Sequence, residues 1–327
     1  MIGYYVHHHG AGHVTRALQV AHNLASPVTG FSSLARPESW LGEWVCLPSD
    51  VTRDPIDPTA GGVLHWAPLR HVGYSTRMAL LSQHLVRLDL MMVDVSVEVS
   101  LLARLLGVPT VVLAMRGDRG DTAHRLAYDS ATSLLVPWSR QFPELWWPDR
   151  WTDKARFVGA ISRFDDCPPP PPQLAGPRRR VLVMLGMGGH DMPTEMLADA
   201  AARTPGWDWT LRSADAPSPD VWQDLLRSDV VVCHGGNNAV AEVAAARRPA
   251  IVVAQDRPFQ EQHHTVAALD ESGICVGLTG WPAVDEWPRL LQLAVDRGTM
   301  GWPAWNPLDG ALQAARHLDA LGTGLST

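Results

Sequence analysis

Several things are scarce in this sequence of 327 residues. Lysine is almost missing, Lys154 being the only one, and acidic residues outnumber basic ones to give a formal charge of −7. Nucleic acid is therefore not expected as the main partner, because phosphate-backbone binding usually shows as a basic excess. Cysteine is limited to Cys46, Cys167, Cys233 and Cys275, far apart and without a CxxC pair. That spacing argues against a disulfide framework and against a structural zinc site. No apolar run reaches the roughly 18 residues of a membrane span. Met1 leads directly into a strand-like segment with no charged stretch before it, so no secretory signal is expected. These absences leave a cytoplasmic protein with no transmembrane segment. What is present is a 46% apolar chain, long enough for two domains of roughly 150 residues each.

The strongest boundary is the run of five prolines, Pro168 to Pro172. Proline carries no backbone N–H and fixes its own dihedral, so this run continues neither a helix nor an interior strand. It reads as a semi-rigid linker spanning 165–179. The expected domains are 1–164 and 180–327, with the last helix free to pack back on the first. Both halves share one rhythm. Strands are expected at 2–7, 90–93 and 109–114, with helices at 13–25 and 95–106. In the second half, strands at 180–185, 229–233, 250–254 and 274–278 alternate with helices at 192–203, 238–247, 260–270 and 309–321. Short, fully apolar strands alternating with helices imply an α/β chain whose parallel sheets are covered on both faces. Two such domains would face each other across a cleft, with ligands at the C-terminal ends of the strands.

Three loops carry chemistry. In the first, His7-His8-His9-Gly10-Ala11-Gly12-His13, a dinucleotide fingerprint would need a glycine where Thr15 stands. His13, at the start of a helix, is placed to take a proton near neutral pH. Arg16 in the first turn opposes the helix dipole and so invites an anion. Three consecutive histidines suggest a metal, but neighbours on a strand point to opposite faces and cannot readily share an ion. The second loop, Gly186-Met187-Gly188-Gly189-His190-Asp191, offers backbone N–H groups suited to phosphate. In the third, His234-Gly235-Gly236-Asn237-Asn238 turns into a helix whose N-terminus can meet a diphosphate, with His234 adding a side-chain donor. Glu242, two turns in, is placed to accept from ribose hydroxyls. Glu261 and Gln262, after the next strand, can reach the hydroxyls of a sugar.

These residues resemble the GT-B glycosyltransferases, in particular the bacterial lipid-linked N-acetylglucosaminyltransferases and the nucleotide-sugar-dependent natural-product glycosyltransferases. His234 to Glu242, Pro249 and Glu261-Gln262 are similar to their donor-binding block, with a Glu eight residues after an opening His and a closing acidic-Gln pair. Asn237 stands where the plant members carry tryptophan. Gly12-His13 resembles their N-terminal Gly-His, whose histidine is the base, and Asp94 matches the aspartate paired with it. Val158-Gly159 also resembles the family. The resemblance implies two Rossmann-like domains and an inverting, metal-independent transfer from a nucleoside-diphosphate sugar, by family habit a UDP-sugar, to a hydroxyl acceptor. His13 and Asp94 would be catalytic. Gly188, Gly189, His234, Gly235, Gly236, Asn237, Asn238, Glu242, Glu261 and Gln262 would hold the donor. Gly12, Arg16, Arg116, Asp118 and Asp121 are candidates for contacts with acceptor or phosphate, the last three in a loop read as lining the cleft and not as a metal motif. The acceptor would be a small molecule or lipid-linked, the latter implying peripheral contact with the inner membrane face. The segments 65–77 and 116–124 are the expected acceptor surfaces. Gly12-His13-Val14 with Arg16 also resembles the pseudaminic-acid-pathway nucleotide-sugar hydrolases, in which water replaces the acceptor. A non-catalytic nucleotide-sugar-binding module would be expected to lack His13 or Asp94.

Overall fold

The computed structural model describes residues 1–8, 10–168, 178–186 and 189–324. The chain divides into two compact units. The first comprises 1–137, 143–158 and 309–327, and the second 138–142 and 159–308. The division thus falls at Val158 and Gly159, whereas the sequence pointed to 165–179. Of that span, 169–177 lies outside the described residues.

The first unit is built on seven parallel strands: β1 (Ile2–Tyr5), β2 (Val28–Ser32), β3 (Glu43–Cys46), β4 (Leu90–Val93), β5 (Thr110–Leu113), β6 (Ser133–Val136) and β7 (Ala155–Phe157). They lie in the order β3-β2-β1-β4-β5-β6-β7. The central strands are buried at every position, as helices on both faces of a parallel sheet require. Tyr5, Phe31, Met91 and Val93 pack against Leu81 and Leu85 of the helix Val72–Leu85 and Val99 of the helix Val97–Leu105. Each such side chain contributes roughly 1.5–3 kcal/mol on burial. The C-terminal helix Gly310–Gly324 belongs to this unit. It packs on the helix Ala11–His22, and Asp319 accepts from the N–H groups of Ala25 and Ser26 at 2.9 and 3.0 Å. The strand order reverses between β1 and β4. Ligands of open α/β sheets collect at such a reversal, beyond the carboxyl ends of the strands.

The second unit holds β8 (Arg179–Met184), β9 (Trp207–Arg212), β10 (Val230–His234), β11 (Ala250–Val253) and β12 (Val276–Leu278), all parallel, in the order β12-β11-β10-β8-β9. Strand period two sorts its core into two layers. Leu182, Met184, Val231, Cys233 and Val252 face Val240, Val266 and Leu269. Val181, Val183, Val230, Val232, Ile251 and Val253 face Met196, Trp287 and Leu291. The reversal here lies between β8 and β10, so the loop after 185 and the turn after His234 leave the sheet side by side.

Candidate functional site

Each unit carries a histidine with an aspartate at its own reversal point. In the first unit, the N–H of Asp94 donates to the carbonyl of Tyr5 at 3.1 Å, extending β4 one residue alongside β1. Val95 then takes a φ of 68°. That conformation is unusual for a β-branched side chain, and backbone strain of this kind costs about 1–3 kcal/mol. Gly10, with φ 89°, caps the helix that starts at Ala11 and places Gly12 and His13 in its first turn. His13 Nδ1 lies 2.9 Å from Asp94 Oδ2. Arg16 Nη2 reaches both Asp94 oxygens at 3.1 Å. Asp94 is fully buried and Arg16 nearly so. Burial alone would raise the carboxyl pKa, yet Arg16 and then His13 hold it well below the usual aspartate range. Asp94 is therefore a fixed anion. It fixes the proton of a neutral His13 on Nδ1 and leaves Nε2 as the basic nitrogen. The anion that Arg16 meets is Asp94 itself, which offsets its unfavourable place in the first helical turn.

The histidine run departs from the strand expectation. β1 stops at Tyr5, so His7 and His8 do not point to opposite faces. Their rings stack 5.1 Å apart at 8°. His8 Nε2 sits 3.4 Å from Asp50, which pairs with the buried Arg77 at 3.0 Å. Arg116 pairs with Glu144 at 3.1 Å, both side chains being buried. Asp118 is exposed and accepts from the N–H of Gly120 at 3.0 Å. Asp121 caps the helix Thr122–Ser130 and contacts His65 and His124.

In the second unit, β10 ends at His234 and the helix Asn237–Ala245 begins two residues later. Its N-cap is Gly236, which supplies no side-chain cap, and the positive end of the helix dipole favours an anion there. Gly235 is dictated by packing. A Cβ there would come within 3.0 Å of Val266 Cγ2 and 3.1 Å of the Gln262 carbonyl oxygen. His234 is buried; its Nδ1 lies 3.3 Å from the Val253 carbonyl oxygen, and its Nε2 makes no hydrogen bond. Burial lowers its pKa. Asp191 Oδ1 stands 3.4 Å from His234 Nε2 and accepts from Trp281 Nε1 at 2.9 Å. The Trp281 ring meets the His234 ring edge-on at 5.3 Å. Glu242 is largely buried, which raises its pKa, while Arg163 at 2.9 Å opposes that rise. Gln262 is buried, and its Oε1 accepts from the Gln255 N–H at 3.0 Å. Glu261 opens the helix Glu261–Glu271 after Phe259 and Gln260, two non-glycine residues at positive φ. Gly189 has φ 86°. Gly188 lies outside the described residues.

The fold thus brings together His13, Asp94 and Arg16 in one unit. In the other it brings together His234 to Asn238, Glu242 and Gln262. It commits Arg116 to Glu144. Sequence reading missed Arg163, Asp191 and Trp281 as neighbours of the second cluster. Asp191 was visible only as the last residue of the second glycine loop. Arg163 and Trp281 carried no local signal.

Residues 218–279 match the glycosyltransferase family 28 C-terminal domain. A UDP-N-acetylglucosamine–N-acetylmuramyl-(pentapeptide) pyrophosphoryl-undecaprenol N-acetylglucosamine transferase of Pectobacterium carotovorum subsp. carotovorum (strain PC1) is 27% identical over 229 residues. The match covers 62% of this chain and 58% of that protein, so the chain spans less than two thirds of its curated relative. The glycotransferase of kitacinnamycin superposes with a TM-score of 0.65 at 17% identity, covering 98% of each chain. MurG of Acinetobacter baumannii does so with a TM-score of 0.65 at 14% identity, covering 99% of each. At these identities the structural likeness establishes the fold: two Rossmann-like α/β units, as in the GT-B fold. No described helix is long and apolar enough to cross a membrane.

Proposed function

We propose that this chain transfers a sugar, with inversion, from a nucleoside-diphosphate sugar to a hydroxyl acceptor. The observation that carries the reading is the buried Nε2 of His234, without a hydrogen bond, beside a helix N-terminus that no side chain caps. The N-terminus of a helix, with its positive dipole end, suits a diphosphate. The match of 218–279 to a glycosyltransferase domain falls on this same turn. Uridine diphosphate is the first choice of donor, because the Pectobacterium relative is named for UDP-N-acetylglucosamine. That name also specifies a lipid-linked acceptor, so the acceptor is a lipid-linked or small-molecule hydroxyl. With a lipid-linked one, the protein would work at the inner membrane face.

In this reading His13 Nε2 takes the acceptor hydroxyl proton while the oxygen attacks the anomeric carbon. The bond from that carbon to the phosphate oxygen breaks, and the nucleoside diphosphate leaves with the electron pair. Asp94 orients the imidazole and stabilises its charged form. The turn His234 to Asn238 holds the leaving diphosphate through N–H groups and the helix dipole, with no step routed through a metal. Glu242 accepts from ribose, and Glu261 and Gln262 contact the sugar. Gly189 and Gly12 bring backbone near phosphate or acceptor.

The test is a donor screen by thermal shift, followed by turnover with and without acceptor hydroxyls. His13→Ala should abolish turnover and retain nucleoside-diphosphate binding. Near-normal activity in that variant would remove His13 as the base. Rapid release of free sugar without any acceptor would identify a hydrolase instead.

A further inference from the structure

We propose that His65, Asp121 and His124 in the first unit form a binding site for one divalent transition-metal ion of the zinc type. His65 Nε2 lies 3.2 Å from Asp121 Oδ1, and His124 Nδ1 lies 2.5 Å from Asp121 Oδ2. The two imidazole rings are 4.3 Å apart between centroids. One ligand atom from each residue falls within 4.8 Å of the others. Zinc bonds of about 2.0–2.1 Å in tetrahedral geometry place neighbouring ligand atoms about 3.3 Å apart. The His65–Asp121 separation already lies close to that value and the His124–Asp121 pair must open by about 0.8 Å, so side-chain rotations are enough to admit an ion.

The three residues come from two segments that are each anchored without the ion. The N–H groups of His65 and Trp66 donate to Glu98 Oε1 at 2.8 and 3.0 Å, and Glu98 is buried. Asp121 is the N-cap of the helix Thr122–Ser130 and accepts from the His124 N–H at 3.0 Å. His124 is buried in the first turn of that helix. Two imidazole nitrogens and one carboxylate oxygen select zinc, cobalt or nickel over magnesium or calcium, which favour all-oxygen sets. Three protein ligands leave a further position for water or for an oxygen of a bound molecule. The site uses neither His13 nor Asp94 and does not depend on the transfer reaction proposed above.

One neighbour opposes the ion. Arg119 Nη1 stands 3.4 Å from His124 Nε2. Coordination through Nδ1 moves the ring proton to Nε2, where it would face a second donor. Arg119→Gln, whose amide oxygen can accept that proton, should therefore bind the ion several-fold more tightly.

The full chain, stripped with a chelator, should retain one Zn²⁺ per molecule after dialysis, and Co²⁺ should give the visible absorption of a four-coordinate N/O site. His65→Ala and Asp121→Asn should each weaken Zn²⁺ binding more than tenfold. Thermal unfolding without metal checks that both variants fold, and added Zn²⁺ should raise Tm in the parent only. Sub-stoichiometric retention would overturn the proposal. So would retention unchanged in both variants, or retention that disappears with His7→Ala and His8→Ala instead.

Discussion

Asp94→Asn changes one atom in the middle of a buried charge cluster, and its consequences can be worked out. Asp94 accepts Arg16 Nη2 on both oxygens and His13 on one. The amide keeps the volume and a single acceptor. Its NH₂ must face Arg16 or His13, both donors in the parent. Breaking a buried ion pair by removing one charge costs about 3–5 kcal/mol. Because the amide still accepts one bond, about 3 kcal/mol is expected, a fall of roughly two powers of ten in the folding constant. Domain stabilities of about 5–15 kcal/mol tolerate that loss. When the NH₂ turns toward His13, it donates to Nδ1 and drives the ring proton to Nε2, the nitrogen required as base. Turnover should then fall on the order of 10³–10⁴-fold, the size of effect a wrong imidazole tautomer has in a catalytic triad. The acid limb of stability should change as well. Asp94 is held below the usual range, so its contribution is present above roughly pH 4, where an unfolded aspartate ionises, and is lost as pH falls through the folded value. The variant should lack that part of the acid loss. Urea unfolding at pH 7 and over the range below pH 4, ¹⁵N spectra of His13 and acceptor-dependent turnover measure the three effects. Turnover within tenfold of the parent, with the Nδ1–H tautomer intact, would refute the role assigned to this carboxylate.

Gly235→Ala pushes a methyl group onto Val266 and the Gln262 carbonyl, so the helix Glu261–Glu271 must yield. Overpacking of this kind costs about 1–3 kcal/mol, and nucleoside-diphosphate affinity should fall at least tenfold. In Gly236→Ala the added Cβ finds its nearest neighbour at 4.0 Å, so that variant should keep parental stability in urea unfolding. With its Nδ1–H on the Val253 carbonyl, His234 can donate through Nε2 only when protonated, and burial lowers its pKa. Nucleoside-diphosphate binding should therefore take up a proton and tighten from pH 8 to pH 6. Calorimetry in two buffers of different ionisation heat tests this, and a heat independent of buffer would contradict it. Asp165 is raised to about 6, chiefly by burial and against the Ser162 N–H and the Asn306 amide. A raised acid keeps its proton longer when folded, so stability is lost as pH rises from about 4 to about 6, by about 3 kcal/mol. Asp165→Asn should remove that slope from urea-unfolding curves, and an identical slope would show that another group causes it.

The sequence made the α/β rhythm legible because several central strands are short runs that are mostly apolar and too short for helices. Leu90–Val93 came out at its observed bounds for that reason. The strands at Glu43–Cys46 and Trp207–Arg212 escaped notice because they are sheet edges. The first is partly exposed throughout, and the second alternates half-buried with exposed positions before its end. The turn at His234 was legible because glycines, a helix start and a carboxylate two turns on are local features. Its partners were not. Asp191 comes from the neighbouring strand's loop, Trp281 from beyond β12, and Arg163 from the start of the unit. Only the strand order β12-β11-β10-β8-β9 places the loops of Asp191 and His234 together. Arg16 was read as waiting for an outside anion because Asp94 lies 78 positions away.

The two histidines at the reversal points differ in what holds Nδ1, and that difference suits the opposite roles proposed for them. A carboxylate holds His13, and a carboxylate stabilises a ring that gains a proton. A peptide carbonyl holds His234, which offers no charge to balance an imidazolium, and burial penalises it further. In its resting state burial favours the neutral ring of His234, although the Asp191 carboxylate lies 3.4 Å from its Nε2 and works against that, and a diphosphate arriving there would favour the charged ring further. In the proposed reaction His13 is the ring that gains the substrate proton, and its carboxylate partner suits that role. Exchanging the partners would exchange the roles. Asp94→Val would leave His13 without its counter-charge. Proton uptake on diphosphate binding should then persist in Asp94→Val, because it arises at His234, while turnover is lost. Loss of both together would mean that the two histidines do not act separately.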